Sequence, residues 1–260
     1  MRQALAATDL IDQINAGRFM LLRHPIPPAH DLIDTESLSA ICVRWIPEES
    51  GHTPAGTYLS ALQETSLMHI LDRWIIRCIC QLIQTEKQLP WNQNLRKQYI
   101  IELSKESILD PKTAGYLYDS VSQSRIPSDQ LILETSFELA SENREPFEKL
   151  AKHTRLLGCN LCLHGQPTPE QLLWAKKNLG VGYIKLDLSG CRNPMDPEDQ
   201  WKKVIPIIKS SMRLGIKIIA QFVDSPRLIP HLLNLGVDYV QGWDVSFPDL
   251  IDTRLDTPFQ

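Results

Sequence analysis

The residue types best suited to chemistry stand in one short run, Tyr183-Ile184-Lys185-Leu186-Asp187. Alternate side chains of a strand point to opposite faces, so Tyr183, Lys185 and Asp187 share one face and Ile184 and Leu186 the other. A buried, unpaired ammonium is strongly disfavoured, and Lys185 therefore needs water or a partner charge. The wall of a ligand cleft supplies either, with the apolar face under a helix and the polar tip at the mouth. Arg44, Glu102, Glu134, His164, Gln221 and Gln241 likewise end short apolar runs. One such residue is ordinary loop chemistry. Seven polar run ends in one chain predict a shared polar pocket.

The six cysteines, at 42, 78, 80, 159, 162 and 191, do not form a dense disulfide framework and are expected to be reduced. Cys159 and Cys162 have CxxC spacing, with His164 close by. A strand through CNLCL puts the two sulfurs on opposite faces, and no second CxxC completes a tetrahedral site. They read as small buried apolar residues. No metal site and no cofactor are expected.

The elements that must hold the polar ends follow from periodicity. Residues 4–16 form a leading helix stopped at Gly17, with Leu5, Leu10, Ile11 and Ile14 near helical spacing. Residues 19–22 read as a strand broken by His24-Pro25-Ile26-Pro27-Pro28, where proline forbids a helix. Residues 29–39 are short and polar before a second strand at 40–45. With no crossover helix between them, these two strands are expected to be antiparallel. Helical sequence follows at 58–64 and 67–82, the latter placing Leu67, Ile70, Leu71, Trp74, Ile75 and Cys78 on one stripe. Strands are then expected at 98–103, 131–134, 159–163, 183–187, 216–221 and 238–241, with helices at 112–122, 146–157, 169–179, 198–213 and 225–235. Thr168 caps the 169–179 helix, and Pro206 is expected to kink or divide the 198–213 helix.

Eight strands with intervening helices in 260 residues predict an α/β fold, a TIM-like (β/α)8 barrel with an irregular, antiparallel first strand pair. Its active-site mouth lies at the C-terminal ends of the parallel strands. One domain over residues 1–260 is expected, with a leading helix to residue 17 and a C-terminal tail at 246–260. The 43% hydrophobic content is enough for a sizeable core. A net charge of −4 with mixed signs argues against a nucleic-acid surface. No apolar run has the length to cross a bilayer, and Asp9 falls where a signal peptide needs its apolar core. The chain is therefore expected to be cytoplasmic, with no nucleic-acid or membrane partner.

FMLLRHPI, AICVRW, the segment 54–74 ending in LDRW, IELS, LILET, HGQP before KLD, IIAQFVD and DYVQGW follow one another in order. Together they resemble the EAL-domain family, the bacterial phosphodiesterases that linearise cyclic di-GMP. AICVRW stands where that family writes EALLRW, IELS where it writes VNLS, and LILET where its ExTE strand stands. HGQP stands for DDFG, IIAQFVD for AEGVE and DYVQGW for DYxQG, while His24 replaces a glutamine of the opening strand.

The resemblance implies the same barrel and a site where two divalent metals, held mainly by carboxylates, activate water against a phosphodiester. The signature glutamate is Ala40 here and the asparagine ligand is Glu102. The adjacent aspartates are His164 and Gly165, and the later glutamates are Gln221 and Asp224. Glu134, Lys185 and Gln241 are kept. Hard cations need anionic oxygen donors, so two-metal hydrolysis is expected to be absent. His164 beside Glu102 and Glu134 reads either as a softer single-metal site or as the cap of a loop hydrogen bond. Arg44 resembles the arginine that meets a phosphate, the alternative being an ion pair with Glu102 or Glu134. Lys185 is expected to neutralise Glu134 and Asp187.

The function expected is a catalytically inactive EAL-like regulatory domain in bacterial signalling, acting by protein–protein interaction with an unidentified regulatory protein. One alternative is an inactive cyclic di-GMP receptor using the vestigial site Arg44, Glu102, Glu134, Lys185, Asp187, Gln221, Asp224 and Gln241. The other is an active phosphodiesterase with a rebuilt metal site. The altered His164–Pro167 loop changes the region that the family uses near its dimer contact, which favours the protein-interaction reading; a homodimer is also among the expected partners.

Overall fold

Strand alternation and helical stripes resolve into one layered arrangement in the computed structural model, which describes residues 7–30, 36–46, 60, 62–88, 96–191, 200–223, 225–253 and 258–259. In chain order the elements are α1 (Ala7–Asn15), β1 (Phe19–Ile26), β2 (Glu36–Trp45), α2 (Met68–Lys87), β3 (Arg96–Glu102) and α3 (Lys105–Leu109). Then come α4 (Thr113–Ser124), β4 (Leu131–Ser136), α5 (Phe137–Glu142), α6 (Arg144–Leu157), β5 (Asn160–His164) and α7 (Pro169–Trp174). The chain ends with β6 (Tyr183–Asp187), α8 (Trp201–Arg213), β7 (Lys217–Gln221), α9 (Ile229–Leu235), β8 (Tyr239–Gln241) and β9 (Asp249–Ile251).

The nine strands form one sheet in the order β8-β7-β6-β5-β4-β3-β2-β1-β9. Strands β2 to β8 run parallel, and β1 is antiparallel to both β2 and β9. The curled sheet closes where the segment after β1 meets β8: Pro28 bridges Tyr239, and the Val240 N–H donates to the Pro27 carbonyl at 3.0 Å. The result is a TIM-like α/β barrel with the antiparallel first pair that a missing crossover helix requires.

Alternation decides what fills it. Ile26, Ala40, Ile100, Ile132, Cys162, Tyr183, Ile219 and Tyr239, one from each of the first eight strands, form the barrel interior. Their neighbours Leu21, Ile101, Leu133, Leu161, Ile184 and Ile218 pack outwards with the helices. Each fully buried Leu or Ile contributes about 1.5–3 kcal/mol. Cys159 lies in the outer layer and Cys162 inside the barrel, so the two share no site. Burial pushes the Cys159 thiol up to about 12.

Several boundaries differ from the sequence reading. The first strand does not break at His24 but runs to Ile26, with Pro25 opposite Ser39. The Pro25 carbonyl accepts from the Ser246 hydroxyl at 2.6 Å, and in a strand a residue's N–H and C=O leave on the same side. The missing N–H therefore faces away from β2, where no ladder bond is lost. The second strand begins at Glu36 rather than residue 40. The 198–213 helix begins at Trp201 and is not divided by Pro206, which sits inside it. Helix 169–179 turns π-helical from Ala175, and helix 225–235 opens with a 3-10 turn at Pro226–Leu228. The C-terminal tail contains β9, held by Arg23, whose Nε donates to Asp249 at 3.1 Å.

The LDRW segment fastens the turn after β3. Asp72 is 2% exposed and accepts from the Ser104 N–H at 2.8 Å, the Ser104 hydroxyl at 2.6 Å and the Ser107 hydroxyl at 2.7 Å. Arg73 pairs with Asp110 at 2.6 Å, and the Trp74 ring lies 6.0 Å from Phe19 of β1. Burial raises the Asp72 carboxyl to about 6 against the opposing pull of the serine donors.

Candidate functional site

The mouth of the barrel is built by the C-terminal residues of β2 to β8. Lys185 on β6 and Glu134 on β4 point into it from the same face, and their ammonium and carboxylate meet at 2.6 Å with both residues 5% exposed. Burial alone would lower the Lys185 ammonium, but the Glu134 carboxylate outweighs it and the group stays above its ordinary value. Lys185 thus takes Glu134 as its partner. It does not also neutralise Asp187, whose Oδ1 instead accepts from the Ser189 N–H at 2.8 Å.

The second charged pair is looser. His164 Nε2 lies 3.6 Å from Glu102 Oε1, with side chains 35% and 68% exposed. The Glu102 carboxylate raises the imidazole, and the imidazole in turn holds Glu102 below its ordinary range. His164 therefore faces a carboxylate rather than capping a loop hydrogen bond. Arg44 is exposed and makes no ion pair with Glu102 or Glu134. Asp224 lies outside the described residues.

Register places Asp187, Gln221 and Gln241 side by side across β6, β7 and β8. Next to this row, where β1 adjoins β8, His24 stands opposite Ala40 of β2. His24 Nε2 lies 3.1 Å from the Ser246 carbonyl, so that nitrogen carries the proton and Nδ1 accepts from Gln241 Nε2 at 3.4 Å. Burial lowers this imidazole, in keeping with a neutral ring. The glycine of the Gln241-Gly242 pair has its own reason: a Cβ there would collide with the Val223 carbonyl.

Beside the mouth, a cavity of about 700 Å³ runs between β2, β3 and α2, lined by Cys42, Val43, Leu71, Asp72, Glu102 and His164 among others. A groove of about 580 Å³ follows the His164–Pro167 loop, with Phe137 in its wall and Glu138 and Glu142 at its edge. Sequence reading gave no part to Cys42, Phe222 or Trp243. Phe222 and Trp243 are 44% and 54% exposed just past the ends of β7 and β8, which exposed aromatics next to polar strand ends could have signalled.

The donor set does not fit a pair of hard cations. Ala40 offers no oxygen, Glu134 is engaged by Lys185, and among the described residues no group of three His, Cys, Asp or Glu could hold a metal ion. Also among these residues, no helix is long and apolar enough to cross a membrane.

Comparison with known proteins gives one family. The EAL domain model matches residues 13–248. Cyclic di-GMP phosphodiesterase PdeF of Escherichia coli K12 is 24% identical over 91% of the chain, which spans 31% of PdeF. PdeB of Shewanella oneidensis is 24% identical over 74% of the chain, which here matches 22% of PdeB. Among solved structures, a FimX EAL domain aligns with TM-score 0.82 at 21% identity, covering 98% of this chain and 100% of that one. The Pseudomonas aeruginosa FimX EAL domain bound to c-di-GMP aligns at 0.80, with 21% identity over 96% and 98% of the two chains. With the family match running from α1 to the edge of β9 over the barrel described above, the chain belongs to the EAL domain family.

Proposed function

We propose that this chain is a catalytically inactive EAL domain that regulates through contact with another protein. The observation that carries the reading is the closed Glu134–Lys185 pair at 2.6 Å. A carboxylate bound to an ammonium in a dry site is a poor ligand for a second cation, and the ammonium is equally spent as a phosphate donor. Among the described residues the remaining charged groups are of both signs, with Glu102 and Asp187 against Arg44, and Glu102 is already faced by His164. A mouth of that balance offers little attraction to a ligand carrying phosphates unless metals are added. It supports an inert nucleotide site, leaving protein contact as the means of action.

A second reading, a cyclic di-GMP receptor, is favoured by the exposed Arg44, by Gln241, and by the likeness to the FimX domain solved with c-di-GMP. Two measurements test the pair. Incubation with cyclic di-GMP in magnesium or manganese, followed by chromatography, is expected to give no linear product; turnover abolished by Glu134→Ala would overturn the proposal. Calorimetric titration is expected to be flat. Submicromolar binding lost in Arg44→Ala would put the receptor in its place.

A further inference from the structure

The row Asp187, Gln221 and Gln241 has no part in the ion pairs of the mouth, yet it is rich in acceptors. Because the Gln241 amide donates to His24, its Oε1 turns away, and this oxygen is buried without a hydrogen-bond partner on a residue 6% exposed. A buried acceptor left unpaired is costly and points to a donor that arrives from outside. Asp187 adds a carboxylate of which one oxygen serves Ser189, and Gln221 adds a second carboxamide. Just beyond the row stand two exposed aromatic rings. Phe222 is held at φ +61°, an unfavourable conformation for a bulky side chain, and the Trp243 ring lies 5.9 Å from His24.

Acceptors with exposed aromatic rings close by in sequence complement a flat cation with several donors. Guanidinium meets that description better than ammonium, because its N–H groups lie in one plane, it stacks on indole, and it sheds water more readily. Among the described residues, the cations flanking the row in the mouth do not fill it. Lys185 sits one layer deeper against Glu134, Arg44 is on β2 beyond β1, His164 faces Glu102, and His24 is neutral.

We propose that this row receives the guanidinium of an arginine on an exposed segment of the partner protein, an inference that rests on the protein-contact reading above. Cyclic di-GMP, whose guanine edge also carries donors, is the competing occupant.

The full chain is titrated with the blocked peptide Gly-Gly-Arg-Gly-Gly and with its citrulline and lysine counterparts. Binding is read by calorimetry and by the indole N–H resonance of Trp243, assigned through its loss in Trp243→Phe. The arginine peptide is expected to shift that resonance and to bind at least about tenfold more tightly than the citrulline peptide, the lysine peptide falling between. Asp187→Asn and Gln241→Leu are each expected to bring arginine down to the citrulline level without altering the melting curve. If Gln241→Leu does not fold, the half-buried Asp187→Asn carries the test. Equal affinity for arginine and citrulline overturns the proposal, as does no binding up to about 10 mM, where even millimolar affinity would register. Cyclic di-GMP binding that vanishes in Asp187→Asn, with Trp243 unmoved by any peptide, assigns the row to the nucleotide and also overturns it. Peptide failure with a flat nucleotide titration leaves the inactive, protein-binding reading intact. Turnover of the dinucleotide removes that reading whatever the peptides do.

Discussion

Removing either member of the Glu134–Lys185 pair is expected to destabilise the barrel far more than removing both. In Lys185→Met the Glu134 carboxylate stays 5% exposed and loses the ammonium that lay 2.6 Å away. An uncompensated charge at such a place costs about 3–5 kcal/mol, moderated as the group takes up a proton. For a chain of this size each kcal/mol moves the melting temperature by about 2–4 °C, so a drop on the order of 10 °C is expected. Glu134→Leu leaves the ammonium stranded and should cost a similar amount. The double variant fills the same space with apolar groups and should return to within about 1 kcal/mol of the parent, or exceed it. Urea unfolding of the parent, the two singles and the double, followed by circular dichroism, closes the cycle and should yield a coupling of about 3 kcal/mol or more. Single losses below about 1 kcal/mol, or losses that simply add, would show that the two groups are not bound to each other and refute the reasoning. They would then be available to a ligand, and the case for an inert site would fall with them.

Asp72 sets a pH signature of opposite sense to most carboxylates. Its folded value, about 6, lies above its unfolded one, so its contribution to stability is fully present below the unfolded value and is lost as pH rises through about 6. Relative to Asp72→Asn, the parent should gain about 2.4 kcal/mol between pH 7 and pH 4, and a constant difference across that range would contradict the assigned burial. Proton NMR of the His164 ring should show its titration moving to lower pH in Glu102→Gln, since that carboxylate is what raises it; an unmoved titration would separate the two side chains. Gly242→Ala should lower stability by about 1–3 kcal/mol through collision with the Val223 carbonyl, whereas Gly115→Ala, which meets nothing within 4 Å, should not. Equal melting of the two variants would exclude the close approach.

The parts of this molecule legible in the sequence are those governed by periodicity, and the parts that were not are those governed by partners. Alternation in Tyr183–Asp187 announced which face carried Lys185 and that a buried ammonium needed an opposite charge. It could not choose between Glu134 and Asp187, because a face is a local property while the chosen carboxylate comes from β4, two strands away around the barrel. The antiparallel first pair followed from the want of a crossover helix, but β9 did not, since three residues carry too short an alternation to stand out from a loop. Pro25 misled for a related reason: proline removes one donor, and whether the loss matters depends on which side of the strand that donor would have faced. Asp72 shows the same limit within a motif. LDRW was readable as a family resemblance, yet its carboxylate works by gripping Ser104 and Ser107 more than 30 residues onward, directly after Glu102. The candidate row at Asp187, Gln221 and Gln241 is the extreme case, since the sequence marks each as a polar strand end of one pocket, while only the register of three parallel strands shows that these three stand side by side. What a sequence lists in order a barrel reads in rings, and the chemistry of this mouth belongs to the rings.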